Sequence, residues 1–137
     1  ESRDIQPYIV DDTLYFSSSR DDGVTLELYK STAVDGEFEA AEPVALITES
    51  PHMQFAPVVS SDHRVIFFSA DGGLYRAVRQ PNGSFGMAES VEELDEGVSY
   101  PGSLSADDCL LYFHTDRRAG TDFDIWVARA TVTFEDG

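Results

Sequence analysis

The stretch Ala56-Pro57-Val58-Val59-Ser60-Ser61-Asp62-His63-Arg64-Val65-Ile66-Phe67-Phe68-Ser69-Ala70-Asp71 decides the fold, because the chain writes it three times. The first copy runs Gln6-Pro7-Tyr8-Ile9-Val10, a turn at Asp11-Asp12, then Thr13-Leu14-Tyr15-Phe16-Ser17-Ser18-Ser19-Arg20. The third runs Tyr100-Pro101-Gly102-Ser103-Leu104-Ser105, a turn at Ala106-Asp107-Asp108, then Cys109-Leu110-Leu111-Tyr112-Phe113-His114-Thr115-Asp116-Arg117. After each copy a polar, Gly-containing gap leads to an aliphatic residue followed by a large aromatic: Leu28-Tyr29, Leu74-Tyr75 and Ile125-Trp126. A fourth element is visible twice, as Gly36-Glu37-Phe38 followed by Val44 and Ile47, and as Gly83-Ser84-Phe85 followed by Val91 and Leu94, with the same offsets.

Runs of four to eight residues rich in Val, Ile, Tyr and Phe, separated by Asp- and Gly-containing turns, read as strands. Each unit is then a four-stranded antiparallel meander. Pro7, Pro57 and Pro101 are 50 and 44 residues apart, near the roughly 40–50 residue period of propeller blades. Proline at the start of each first strand fits, since that position needs no ladder donor. No segment keeps a 3.6-residue apolar period, which excludes a helical solenoid, and a sandwich has no reason to repeat its sequence. The expectation is an all-β chain: three four-stranded antiparallel blades of a β-propeller, half or part of a ring, over about residues 4–47, 53–94 and 98–134 of a single segment.

The composition agrees with a folded domain: 42% of the 137 residues are hydrophobic and 12% aromatic, enough to build a core. The balance of 26 Asp and Glu against 9 Lys and Arg gives a formal charge of -17, which repels phosphate backbones and anionic lipid surfaces and argues against a nucleic-acid partner. The acids are scattered through turns, as on a solvated surface. The one cysteine, Cys109, opens the apolar run through Phe113 and is expected to behave as a small core residue. No stretch approaches the ~20 apolar residues of a bilayer span, so no membrane insertion is expected.

At these residues the repeat resembles the TolB-type, WD-like propeller repeat, whose pattern runs Pro, an apolar stretch, Ser-Pro-Asp-Gly, a strand ending Phe-Ser, an Arg and Gly turn, and Asp-Ile-Trp or Asp-Ile-Tyr. Ser105-Ala106-Asp107-Asp108, Thr115-Asp116-Arg117 with Gly120, and Asp124-Ile125-Trp126 carry it best. Ser60-Ser61-Asp62-His63 fills the turn in the second copy, and Glu27-Leu28-Tyr29 the last motif in the first. The likeness covers the chain from about Asp4 to about Ala130. It implies a closed ring of about six blades, a periplasmic or extracellular location, and a role either as a binding module or as the propeller part of a serine peptidase whose catalytic domain lies elsewhere. Three blades leave open edges, so either the chain is a piece of a longer protein or two copies complete a homodimeric ring.

In such a ring the loops joining the second to the third strand, and the fourth strand to the next blade, share one face. Arg20, His52, Asp71, Tyr100, Arg117 and Arg118 are the candidate ligand-binding residues on that face. Arg117 is equally placed to brace a turn against Asp124. Asp116, Asp122 and Asp124 lack the spacing of a calcium loop. His52, His63 and His114 fall in different kinds of segment and are not expected to share a metal. No Gly-x-Ser-x-Gly elbow is present, and Asp4, Asp71 and Asp124 do not rise above the acidic background as a glycosidase pair. The sequence therefore predicts no catalytic residues, no metal and no cofactor. It predicts a non-catalytic binding or scaffolding module for a protein, peptide or glycan; the alternative is the propeller portion of a larger hydrolase or peptidase.

Overall fold

The computed structural model describes residues 1–46, 53–94, 97–116 and 122–130. These form three antiparallel sheets and no α-helix. The first sheet joins β1 (Asp4–Val10), β2 (Thr13–Ser18) and β3 (Glu27–Val34), with two short pieces, β4 (Glu37–Phe38) and β5 (Glu42–Pro43), both paired to β3. The second joins β6 (Gln54–Val59), β7 (Val65–Ala70), β8 (Gly73–Val78) and β9 (Glu89–Ser90). The third has three strands among the described residues, β10 (Ser99–Leu104), β11 (Leu110–Thr115) and β12 (Asp124–Arg129). Residues 131–134, the last of the third blade expected over about 98–134, lie outside the described residues. Among the described residues the sheets do not close into a ring.

Turn chemistry explains the meanders. Asp35-Gly36 and Asp71-Gly72 each form a two-residue connection with positive φ at both positions (52° and 83°, 51° and 80°), the mirror-image turn that matches strand twist. In the longer turns Ser60 and Ser105 act identically. Ser60 Oγ donates to Asp62 and accepts from the Val65 amide, as Ser105 Oγ donates to Asp107 and accepts from the Leu110 amide. His63 and Asp108, both at φ 59°, take the left-handed position that closes each turn.

Strand partners correct one equivalence expected from the sequence. Ile5, Phe55 and Tyr100 face Ser17, Ser69 and His114, so the residues that follow them correspond in order. Pro101 therefore matches Gln6 and Ala56, and Gly102 matches Pro7 and Pro57. Gln6 and Ala56 are left-handed (φ 55° and 52°), which proline, locked near -65°, cannot be. The third sheet makes its bulge between Pro101 and Ser103 instead, with Gly102 at a point where a Cβ would stand 3.2 Å from the Tyr112 carbonyl oxygen. The prolines thus sit at bulges inside the first strands rather than at the strand starts, and bulges also release the ladder donor.

The same residues pack twice. One face of the first sheet presents Tyr15, Leu28 and Val44 to Val59, Ile66, Phe68 and Ala77 of the second. The corresponding face of the second presents Phe67, Leu74 and Val91 to Leu104, Leu111, Phe113 and Ala128 of the third. Register makes these lists equivalent position by position. We call the face carrying Tyr15, Phe67 and Tyr112 the back of each sheet, and the face carrying Phe16, Phe68 and Phe113 the front. Main-chain bonds repeat as well: the Gln54 amide donates to the Leu26 carbonyl and the Ser99 amide to the Gly72 carbonyl, each at 2.9 Å. Cys109 does not join the core; it follows the left-handed Asp108, before β11 begins, and is exposed.

Candidate functional site

The end of the sheets where β2 leads into β3, β7 into β8 and β11 into β12 holds all three candidate residues that fall within the described segments: Arg20, Asp71 and Tyr100. His52, Arg117 and Arg118 lie outside the described residues. Phe123 also belongs to this end, just before β12.

Tyr100 is the centre of a ring cluster. Its ring stacks on His114 at 5.2 Å, meets Phe123 at 6.0 Å and takes the edge of Phe55 at 6.4 Å, while His114 and Phe123 lie edge to face at 5.6 Å. These rings come from β6, β10, β11 and the segment before β12, so two sheets build the cluster. Tyr100, Phe55 and His114 are half-buried, and Phe123 is exposed. Asp71 is near the same place in the fold: it precedes Gly72, whose carbonyl binds the Ser99 amide, one residue before Tyr100.

Arg20 folds back onto its own sheet. Its guanidinium lies 5.1 Å from the Phe16 ring centre and 5.0 Å from that of Tyr29, and it bonds Asp4 at 3.1 Å and Ser18 Oγ at 3.0 Å. Ser18 in turn donates to Asp4. That Ser18 bond first, and the Arg20 bond and charge after it, hold the Asp4 carboxyl below the usual carboxylate range despite some desolvation. The guanidinium thus roofs a stacked aromatic pair on the front of the first sheet.

At the opposite end, sequence reasoning missed a basic cleft. Tyr15, Lys30, His63 and Arg79, with Thr13 and Thr32, line a cavity of about 250 Å³ between the first two sheets. Tyr15 Oη and His63 Nδ1 share a 2.9 Å hydrogen bond, and His63 Nε2 lies 3.3 Å from Asp11. Burial pushes the Tyr15 hydroxyl up from its ordinary range, against the pull of the Arg79 charge. His63 had the signature of a turn residue only, and Arg79 lies at the edge of its repeat. Their convergence depends on how sheets stack, which no local pattern carries.

Of the carboxylates Asp4, Asp71 and Asp124, Asp4 is engaged by Ser18 and Arg20, and Asp124 opposes Thr115 in the ladder. Among the described residues no group of three or more His, Cys, Asp or Glu side chains is arranged to hold a metal ion, and no helix is long and apolar enough to cross a membrane. No family model and no curated protein matches the chain.

Proposed function

We propose that this chain is part of a TolB-like β-propeller and works as a non-catalytic module that binds a protein, peptide or glycan partner at the Tyr100 end of its sheets. The observation that supports it is the partly exposed cluster of Phe55, Tyr100, His114 and Phe123. Aromatic rings offer large, stiff contact area at small entropic cost, and faces and edges suited to peptide groups or sugar rings. The threefold repeat and its turn motifs support the propeller reading, and with it a periplasmic or extracellular location.

Peptide and glycan arrays probed with the chain test the reading. A hit bound by wild type, weakened at least tenfold by Tyr100→Ala or Phe123→Ala and unchanged by Arg79→Ala at the far end supports it. Arrays without a hit, or hits indifferent to Tyr100, refute it. The mass of each variant is measured alongside, so that altered assembly is not read as lost binding.

A further inference from the structure

Among the described residues the same sheet-on-sheet interface is made twice, always back to front, and one half of that interface is left without a partner sheet on each side. The unused front belongs to the first sheet. There Ile9, Leu14, Phe16 and Tyr29 occupy the positions that Val59, Ile66, Phe68 and Tyr75 occupy in the second sheet's front. Leu14, Phe16, Ile5 and Pro7 line an open apolar hollow on this side. The unused back belongs to the third sheet, where Tyr112 and Ile125 stand at the positions of Phe67 and Leu74.

Both faces leave apolar side chains in water: Ile9 is 61% exposed, Val127 55% and Ile125 81%. On the back of the third sheet Tyr112, Ile125 and Val127 form one exposed apolar patch, of the kind that marks a contact surface; on the front of the first sheet Phe16 and Tyr29 are buried beneath Arg20 and Ile9 stands exposed beside them. Val127 takes the position of Arg76 in the second sheet. Arg76 and Leu104 border the same crevice between the second and third sheets, and Ile9 is the first-sheet equivalent of Leu104. The same packing continued onto a second molecule would set Ile9 of one opposite Val127 of the other.

We propose that the front of the first sheet docks on the back of the third sheet of a second copy, extending the internal back-to-front packing from molecule to molecule. This is a heterologous contact: it gives a closed ring where the rotation closes and a filament where it does not. The proposal rests on the equivalence of faces, not on the ligand reading above, and it can fail independently of it.

Light scattering after size-exclusion chromatography, over a concentration series of the 137-residue chain, tests it with two variants at exposed positions, Ile9→Glu and Val127→Glu. Wild type is expected at about 30 kDa, twice the 15.1 kDa chain, or at larger masses that grow with concentration. Each variant alone is expected at the single-chain mass, with circular dichroism and melting showing that it is folded. Mixing the two restores a two-chain species, since the intact back of Ile9→Glu meets the intact front of Val127→Glu. A wild type that stays at 15.1 kDa up to millimolar concentration overturns the proposal, and so does a pattern in which only one variant dissociates the assembly or the mixture fails to reassociate. In a wild type that stays monomeric the two faces belong to another occupant, such as further sheets of a longer chain.

Discussion

Phe68–Tyr75 and Phe16–Tyr29 are the same stacked pair, at the same register positions in neighbouring sheets, with ring separations of 5.8 Å and 6.1 Å. The first is covered by another sheet; the second by a single arginine. Both phenylalanines are buried, Phe68 to 1% exposure and Phe16 to 7%, so exposure alone does not separate them. What differs is the cover: apolar side chains packed to interior density on one, a hydrated guanidinium on the other. Removing Phe68 empties a site its neighbours cannot fill, and Phe68→Ala is expected to cost about 3–5 kcal/mol. Phe16→Ala lets Arg20 and water settle into the gap and should cost about 2 kcal/mol or less. Urea unfolding of both variants measures the contrast, and equal losses would show that Arg20 covers as well as a sheet does.

A second matched pair sharpens the comparison between the two interfaces. Ser69 Oγ donates to the Ser99 carbonyl at 2.8 Å across the second interface. Ser17, its equivalent, is fully buried, and its hydroxyl has no hydrogen-bond partner among the described residues. Deleting a satisfied buried hydroxyl leaves the Ser99 carbonyl short of a donor, so Ser69→Ala should cost about 1–2 kcal/mol. Ser17→Ala removes only a desolvated polar group and should be neutral or stabilising. Equal destabilisation of the two in melting experiments would mean that Ser17 has a partner in solution. Arg20→Ala follows at about 1 kcal/mol, since its cation–π contacts and its ion pair with Asp4 lie at the surface. Its clearer readout is a rise in the Asp4 pKa, followed by NMR titration of the carboxyl carbon.

These pairs also show what the sequence could and could not reveal. The repeat was legible because each sheet needs the same apolar residues at the same register to pack on its neighbour, so Leu28, Leu74 and Ile125 recur whether or not the third finds a partner. The one-residue error at Pro101 arose because proline is the most visible letter of the pattern, whereas register is set by the residues opposite, Phe113 and Tyr112. Cys109 looked apolar from its neighbours, yet strand β11 starts only after it. Of the site, Tyr100 was legible from its place at a loop end. Phe55, His114 and Phe123 were not, because they reach Tyr100 from other strands, and only the pairing of β10 with β11 and the contact of β6 with β10 bring them close. Arg20 could be placed at this end from the sequence but its contacts with Asp4, Ser18, Phe16 and Tyr29 could not: a repeat pattern gives a side chain's position along a strand, not which neighbour it folds back onto.

The smallest effect concerns the turns that the sheets share. In Asp62 and Asp107 the hydrogen bonds from Ser60 and Ser105 respectively, first, and then backbone amide bonds hold the carboxyl below its ordinary value; Asp22 is held down by Thr25 and by the Val24 amide. A carboxyl whose pKa is lower folded than unfolded adds stability that is complete above the unfolded value, near 4, and is lost as pH falls through the folded value. Two opposing trends follow. From pH 7 toward the isoelectric region near 4.2, shedding part of the -17 charge relieves self-repulsion and raises stability. Below pH 4 the braced carboxylates take up protons and stability falls. The urea midpoint should therefore peak on the acid side of neutrality. Asp62→Asn and Asp107→Asn keep an acceptor for the serine hydroxyl and the amide but cannot titrate, so they should leave the midpoint at pH 7 nearly unchanged and make the acid limb shallower. An acid limb as steep as that of wild type would place the titrating groups elsewhere, with Asp4 under Arg20 the next to replace.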